Sequence, residues 1–392
     1  MKSTMKEKYL LADETISKQN IDELIAWLKT GPWLTQGALV REFERRWGEW
    51  LPVKHSVFVN SGSSANLLMY DSVRLSGKIK NKKVIVPAVC WPTSVAPAIQ
   101  LGFEPIVCDA DPDTLALDPE ELERLLRQTG AAAVVMVHIL GVPANLDAIL
   151  KLKKKFGFIL MEDSCAATGS EYDSRRVGTF GDISTFSFFY GHHLSTIEGG
   201  MVCTVDDELH DILLQIRSHG WAKDLPPDTE AGQANAHHAM EFNRPFTFYY
   251  PGYNVRSADL NARIGLSQLA GVDTVIRRRI ENHAIYQSRF QDAGFDCQKN
   301  PKASICSIAF AGLAKNSAHR DRIAVALRDK HIETRPIGVG NLVRQPFWPK
   351  TGGRVEGKVA DRVYETGFQL PNHPKLSPDD IHYICDTVLE VE

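Results

Sequence analysis

Short apolar runs alternate with amphipathic, helix-like stretches along the first half of the chain. The apolar runs are SVFV (56–59), KVIVPAV (83–89), EPIVCDA (104–110), AAAVVMVHIL (131–140) and FILMEDS (158–164). Continuous apolar strands that are separated by amphipathic helices are typical of a mainly parallel sheet with both faces covered. The pattern therefore predicts an α/β fold, in which ligands bind at the carboxyl ends of the strands.

The second half of the chain shows a weaker pattern. Residues 218–250 are polar and aromatic without a clear period, which predicts a long ordered loop. A helix over roughly 257–290 should then lead to a smaller α/β domain. We expect a large domain over 1–275, whose amino-terminal segment is able to pack on the small domain, and a small carboxy-terminal domain over 276–392.

Composition excludes some classes of function. The 392 residues are 43% hydrophobic and 24% charged with a net charge of −3, which gives no electrostatic case for binding nucleic acid or an anionic membrane. The amino terminus lacks the apolar core of a signal peptide, so a cytoplasmic protein is expected. The seven cysteines are scattered and form no CxxC pair. They predict reduced core residues, with no metal site and no iron–sulfur cluster built from local cysteine spacing.

A glycine and several serines follow the first predicted strand in NSGSSANLL (60–68). At the start of a helix, Gly62, Ser63 and Ser64 offer backbone N–H groups and hydroxyls to a phosphate. The same residue types also simply cap helices. The motif alone leaves both interpretations open.

Two further residues follow predicted strands. Asp163 comes at the end of a strand that should be buried, and a buried carboxylate needs a cationic partner such as a protonated pyridine nitrogen. A helix cap is the alternative role for this aspartate. Trp91 follows VPAVC and could stack on a planar ring, although a lone tryptophan more often fills a core.

In this order, the segments resemble the pyridoxal-phosphate enzymes of the aspartate aminotransferase fold, and within them the DegT/DnrJ-type nucleotide-sugar aminotransferases. The resemblance covers almost the whole chain: GPWLTQGALVREFERRW, SGSSANLL, VPAVCWPTS, MEDSCAATG, the FSF…EGG strand and PGYNVRSADLNARIGLSQL. It implies the type I fold of pyridoxal-phosphate-dependent transferases. In that fold a large domain has a mixed, mainly parallel sheet flanked by helices, and a smaller α/β domain follows.

The resemblance also implies roles for individual residues. The cofactor phosphate is expected on Gly62, Ser63 and Ser64, with a further hydroxyl from Ser187. Trp91 is expected to stack on the cofactor ring, and Asp163 to pair with its pyridine nitrogen. Asn254, in the GYN segment, should reach the phosphate of the neighbouring subunit, which implies a homodimer with shared active sites.

Alignment of SFFYGHHLSTIEGG with the family's cofactor strand places His192 where the family has its lysine. Adjacent residues in an extended segment point to opposite sides, so only one of the two histidines can face the cofactor. His193 is expected to be structural, and a metal site built from the pair is disfavoured. The alternative is that the lysine was lost together with catalysis.

Histidine at this position has definite chemical consequences. Imidazole has no primary amine, so it cannot form a Schiff base with pyridoxal phosphate, but it remains an acid and base near neutral pH. The resemblance then implies the histidine-containing sugar 3-dehydratases, which hold pyridoxamine phosphate non-covalently. Such an enzyme removes the C3 hydroxyl of a nucleotide-linked 4-keto-6-deoxyhexose, here GDP-4-keto-6-deoxy-D-mannose on the route to the lipopolysaccharide sugar colitose. It releases ammonia, and L-glutamate restores the amine of the cofactor.

The same branch includes enzymes with a [2Fe–2S] cluster, whose cysteines lie in the loop after the cofactor strand. Residues 217–250 contain no cysteine, so a cluster is not expected. His237 and His238, with Phe246 and Phe248, either shape the sugar pocket from this loop or merely order it.

Substrate contacts are predicted in IETRP (332–336), which resembles the family's segment facing the active site. Glu333 and Arg335 could bind the sugar or the glutamate carboxylate, although an ordinary surface ion pair would have the same sequence. Two other functions stay open: a nucleotide-sugar 4-aminotransferase with an unusual base, and a non-catalytic cofactor-binding regulator.

Overall fold

A seven-stranded sheet lies at the centre of the computed structural model, which describes residues 8–238, 241–348 and 357–392, apart from the side chains of residues 237 and 238. The strands are β1 (His55–Val59), β2 (Lys83–Pro87), β3 (Glu104–Cys108), β4 (Ala133–Val137), β5 (Ile159–Asp163), β6 (Glu171–Tyr172), β7 (Arg175–Arg176), β8 (Ile183–Ser187), β9 (Gly200–Thr204), β10 (Asp296–Cys297), β11 (Ala303–Ser304), β12 (Ala309–Leu313) and β13 (Gly367–Pro371). The order in the large sheet is β1-β9-β8-β5-β4-β2-β3. Strands β3, β2, β4, β5 and β8 pair in parallel, and β9 pairs antiparallel with both β8 and β1. The predicted α/β class and the mixed, mainly parallel sheet are confirmed.

Helices cover both faces of this sheet. They are α1 (Lys18–Leu28), α2 (Ala38–Trp50), α3 (Gly62–Leu75), α4 (Ala96–Gln100), α5 (Pro119–Thr129), α6 (Leu146–Phe156), α7 (Asp207–Ile216), α8 (Glu230–His238), α9 (Asp259–Leu269), α10 (Val272–Asp292), α11 (Ser317–Asp329), α12 (Lys358–Thr366) and α13 (Pro378–Leu389). Val84 and Val86 of β2 pack towards α3 and α7, whereas Ile85 between them packs towards α5 and α6. The alternation of side chains along the strand explains this division. Because both faces are buried from Val84 onwards, the strand is apolar from Val84 to Pro87.

The carboxy-terminal part has its own small sheet, in the order β10-β12-β13. Phe310 of β12 and Leu370 of β13 pack with residues of α10, α11 and α13 in one apolar core. Tyr9 is buried in the same core, and its N–H donates to the carbonyl of His331. The amino-terminal segment is thereby joined to this part of the fold. The predicted boundary at residue 275 falls inside α10 and stays a prediction.

Two predicted elements were wrong. The expected helix over 257–290 is divided into α9 and α10 at Gly271, whose backbone angles (φ −114°, ψ 4°) are not helical. Glycine has a large backbone entropy to lose in a helix, so it is a favourable place for the break. The expected loop over 218–250 contains α8, whose sequence EAGQANAHH has too few apolar residues to show a helical period.

Two aromatic side chains in the same stretch pack against a third one. Phe246 and Phe248 stack on Trp221, with ring centroids 5.5 and 5.8 Å from it. These contacts order the segment locally, whereas the side chains of His237 and His238 lie outside the described residues. Within the described ranges, no helix is both long and apolar enough to cross a membrane.

Candidate active site

The predicted site residues come from neighbouring strand ends. Asp163 ends β5 and Ser187 ends β8, and these two strands are paired in parallel. The turn after β1 leads directly into α3, which packs on β8 and β9. The topology therefore brings segments that are more than a hundred residues apart in sequence to one edge of the sheet.

The amino terminus of α3 has the geometry of an anion site. Ser61 caps the helix by accepting the N–H of Ser64 at 3.0 Å. Gly62 lies against the strand end, where an added Cβ would come within 2.6 Å of the Ser187 Cβ, so a side chain here would push the helix away. The hydroxyl of Ser63 is 3.2 Å from that of Thr93. Hydroxyls and a helix amino terminus together favour a phosphate, although the binding roles of these residues stay predictions.

Asp163 is buried within a network of hydrogen-bond donors. It is only 3% exposed, and its Oδ2 accepts bonds from Asn66 Nδ2 (2.9 Å) and Ser94 Oγ (2.7 Å), while Oδ1 accepts the N–H of Cys165 (3.0 Å). Thr185 Oγ1 donates to Asn66 Oδ1 at 2.7 Å and so orients the amide. No basic side chain of the described residues lies within 4.0 Å of this carboxylate. A buried carboxylate without a cation is costly, so the site suits a ligand that brings a positive charge.

Sequence reasoning missed Asn66, Ser94 and Thr185. The available signal was a polar residue on an otherwise apolar helix, as in the run ANLLM, where Asn66 is 2% exposed. A buried amide needs hydrogen-bond partners. The sequence does not say which residues these are.

Trp91 does not fill the core. Its side chain is 59% exposed, at the start of a short 3-10 turn after β2. The preceding residue is fixed from the carboxy-terminal part of the chain, because Cys90 O accepts the N–H of Val339 at 3.2 Å. An exposed indole on a supported loop is available to stack on a planar ring.

The His192 ring is held by the backbone carbonyl of Cys165, two residues after Asp163 in sequence. Its Nδ1 is 2.9 Å from the carbonyl oxygen of Cys165. A carbonyl only accepts, so Nδ1 carries the hydrogen and Nε2 has a free lone pair in the neutral ring. Burial lowers the pKa of His192 to about 4, with the charge of Arg279 acting in the same direction. At neutral pH the ring is therefore uncharged and able to accept a proton at Nε2.

His193 is bound elsewhere. It is fully buried, and its Nε2 is 2.8 Å from the carbonyl oxygen of Cys306. Burial holds its pKa well below the usual range. The two neighbouring imidazoles thus contact different parts of the chain. Across the described ranges, no group of three or more His, Cys, Asp or Glu side chains is arranged to hold a metal ion.

The two predicted substrate residues differ in their surroundings. Glu333 forms an ion pair with Lys8 (2.7 Å) and accepts the N–H of Leu11 (3.0 Å), so it fixes the amino-terminal segment. This is the ion-pair alternative that the sequence left open. Arg335 is exposed, donates to Gln369 Oε1 at 3.2 Å, and is close enough for its charge to act on His192. Arg335 therefore lies in the neighbourhood of His192.

Asn254 lies at the surface. It is exposed and forms a backbone bridge with Ser218. The preceding Tyr253 anchors the segment, because its hydroxyl donates to the buried Asp71 at 3.0 Å. The predicted contact of Asn254 with a neighbouring subunit stays a prediction.

Comparison with known proteins identifies the family of this chain. A GDP-4-keto-6-deoxy-D-mannose 3-dehydratase of Yersinia pseudotuberculosis is 33% identical over 383 residues, which cover 95% of this chain and 93% of that protein. The protein of the same name from Escherichia coli O55:H7 is 35% identical over 365 residues, or 90% and 92% of the two chains. The solved structure of an E. coli GDP-4-keto-6-deoxy-D-mannose-3-dehydratase with bound hydrated PLP superposes with a TM-score of 0.89 at 30% identity, over 97% of this chain and 99% of that one. Residues 14–389 match the model of one family. The chain belongs to the DegT/DnrJ/EryC1/StrS aminotransferase family, as predicted from its motifs.

Proposed function

We propose that this chain is a glutamate-dependent sugar 3-dehydratase that uses pyridoxamine phosphate and pyridoxal phosphate. It would remove the C3 hydroxyl of a nucleotide-linked 4-keto-6-deoxyhexose and release ammonia. The observation that carries the proposal is the neutral His192 imidazole, which stands at the family's lysine position and is oriented by Cys165. The relatives named above support it, because both are 3-dehydratases by name.

The residues present fit the cofactor. Asp163 is a buried carboxylate that suits a pyridinium nitrogen, the start of α3 suits a phosphate, and the exposed Trp91 suits a ring. When bound, pyridoxamine phosphate supplies an amine for the 4-keto group and an electron sink for the elimination. A solved relative of this chain was crystallised with a trapped PLP–glutamate geminal diamine, at a TM-score of 0.90 and 30% identity. We propose the same amino acid as the donor here.

His192 would carry the proton transfers. Nε2 is the basic nitrogen in the neutral ring, so it can accept a proton and later give one to the hydroxyl that leaves the sugar. The nearest lysines in sequence are Lys155 and Lys223, and none lies between them. Without an amine in this segment, the protein has no local means of tethering the cofactor covalently. This chemistry favours loss of water over completion of a transamination.

Arg335 is our candidate for binding an anionic part of a substrate. Its guanidinium is exposed and has a planar set of donors that fits a carboxylate or a pyrophosphate. Glu333 is a weaker candidate, since Lys8 and Leu11 already occupy its carboxylate. We propose GDP-4-keto-6-deoxy-D-mannose as the sugar, on the strength of the two relatives' names.

We also propose a homodimer with shared active sites. Several large apolar side chains are exposed in the single chain, among them Trp33 (70%), Trp91 (59%), Ile197 (49%) and Leu34 (48%). Exposed apolar groups of this size often mark a protein contact. In such a dimer the exposed Asn254 would be available to the neighbouring subunit's phosphate.

Product analysis tests the proposal. The purified protein is incubated with pyridoxal phosphate, glutamate and a panel of 4-keto-6-deoxy nucleotide sugars, and the products are weighed. We expect a sugar that has lost the C3 hydroxyl, together with ammonia and 2-oxoglutarate. His192→Asn should abolish the reaction, whereas His382→Asn, on the exposed side of α13, serves as the matched control.

The alternatives give different products. An amino sugar that keeps its C3 hydroxyl would indicate an aminotransferase. One relative, 29% identical, bears the name GDP-perosamine synthase (Escherichia coli O157:H7). Bound pyridoxamine phosphate without turnover on any sugar would indicate a regulator. Either result would overturn the dehydratase proposal.

A further inference from the structure

A fully buried arginine lies behind the loop that carries His192. Arg279, on α10, has no exposed surface. Its Nη1 donates to the carbonyls of Ile308 (3.2 Å), Ser307 (3.5 Å) and Asn372, and its Nη2 donates to the carbonyl of Gly191 at 3.1 Å. No carboxylate of the described residues lies within 4.0 Å of this guanidinium. A buried charge held only by carbonyl dipoles is costly, so this position needs an explanation beyond packing.

The bond to Gly191 acts directly on the neighbouring histidine. Gly191 has φ +80°, and an added Cβ would come within 2.5 Å of the Ala12 Cβ, so only glycine fits here. Arg279 fixes the Gly191 carbonyl, and Ala12 of the amino-terminal segment lies against Gly191 as well. The backbone that precedes His192 is thereby held by two contacts, and the His192 ring is held by the Cys165 carbonyl.

Four charged or titratable groups act on His192 or lie next to it. Asp163, at the end of β5, favours the imidazolium form, whereas Arg279 on α10 and Arg335 in the carboxy-terminal part oppose it. His193 is the sequence neighbour and is itself uncharged because of its burial. Arg335 is exposed, so water and salt screen its charge, but Arg279 is shielded from both. Burial lowers the pKa of Arg279 only to about 10, so it keeps its charge at neutral pH.

We propose that Arg279 is a positioning residue for the dehydration, which fixes the Gly191 carbonyl directly before His192. Its buried charge acts on the same imidazole and disfavours the imidazolium form of His192. The inference rests on the proposed function, because it assigns a task to the base of that reaction. It is a separate claim about geometry and charge, and it is measurable in the protein without a substrate.

The test compares two substitutions of Arg279 with a matched control. Arg279→Met removes the charge and keeps most of the length, and Arg279→Lys shortens the reach so that the contacts with Gly191 and Asn372 cannot both form. Arg217→Lys is the control. Arg217 is also almost fully buried (2% exposed) and donates to a carbonyl, that of Phe58 at 3.2 Å, but it pairs with Glu44 instead of facing His192.

The first measurement is the protonation of His192. The protein is labelled with 13C-histidine and titrated by NMR, and the His192 signal is assigned with His192→Asn. We expect Arg279→Met to raise the pKa of His192 by about one unit, and Arg217→Lys to leave it unchanged. An unchanged His192 titration in Arg279→Met would overturn the electrostatic part of the proposal.

The second measurement is steady-state kinetics of the holoenzyme. Arg279→Lys should lower kcat by about 10-fold to 100-fold with little change in the KM for the sugar, because a misplaced base impairs the chemical step and not binding. This variant also carries the test if Arg279→Met does not fold. A kcat equal to that of Arg217→Lys would refute the positioning role. A shifted titration in a protein whose wild type performs no dehydration would support the electrostatic role and overturn the proposed function.

Discussion

Replacement of Asp163 by asparagine should separate cofactor binding from folding. The carboxylate accepts hydrogen bonds from Asn66, Ser94 and the N–H of Cys165. In Asp163→Asn the remaining oxygen can keep the Cys165 N–H, and the Ser94 hydroxyl can accept instead of donate. Asn66 can turn its amide, because its other partner, the Thr185 hydroxyl, also both donates and accepts. Each of these partners keeps at least one hydrogen bond, so we expect the free energy of unfolding without cofactor to change by less than about 1 kcal/mol.

The affinity for the cofactor should fall much further. If Asp163 pairs with the pyridine nitrogen, the substitution removes one partner of a buried charge pair, which costs about 2–5 kcal/mol. That loss corresponds to binding of pyridoxamine phosphate that is about 30-fold to 4,000-fold weaker. Equilibrium dialysis measures the affinity, and urea unfolding of the cofactor-free protein measures the stability.

Asp163→Ala is the comparison for this experiment. It leaves the Asn66 amide and the Cys165 N–H without their acceptor, at about 1–3 kcal/mol for each buried donor, so it should destabilise the protein as well as weaken binding. The reasoning would be refuted if Asp163→Asn bound pyridoxamine phosphate within about threefold of the wild type.

Three further substitutions or conditions test the site. His192→Lys should bind pyridoxal phosphate covalently and lose most of the dehydration activity. Borohydride reduction followed by intact-mass measurement detects the covalent bond. Preserved dehydration in this variant would show that His192 is not the base. Trp91→Ala should weaken the binding of pyridoxamine phosphate about 2-fold to 12-fold through the loss of stacking. The free energy of unfolding should change by less than about 0.5 kcal/mol, because the side chain is 59% exposed. An equal affinity in the variant would argue against stacking. Lowering the pH below about 6.5 should destabilise the protein, because histidines with a depressed folded-state pKa bind protons in the unfolded chain but not in the folded one. The free energy of unfolding should fall by up to about 1.4 kcal/mol per pH unit for each such histidine. Among the described residues, the histidines with a depressed pKa include His192 (pKa about 4), His210 and His283 (both about 3) and His193 (well below its usual value). Equal stability in urea unfolding at pH 7 and pH 5 would contradict this prediction.

The sequence was informative where the signal is local. Strands buried on both faces are mostly apolar, so the runs that contain β1 to β5 were recognisable from their composition alone. The order of motifs predicted the family, which the comparison confirmed over residues 14–389. His192 stood out because one residue type replaces another at a fixed place in a motif. Weakly patterned elements were missed. Helix α8 has few apolar residues, and the break at Gly271 does not interrupt the helical spacing of the apolar residues in the sequence.

Only the tertiary structure decided which polar groups share an environment. Asn66 and Asp163 are 97 residues apart in sequence, and Arg279 and Gly191 are 88 apart. No periodicity links such pairs, because their meeting depends on strand order and on how α10 packs behind the loop that carries His192. The sequence therefore determined the fold class and identified the imidazole, whereas packing determined its protonation state, its hydrogen-bond partner and the buried cation behind it. The reason is physical: a pattern records the burial of one residue at a time, but desolvation and charge act between residues that only folding brings together.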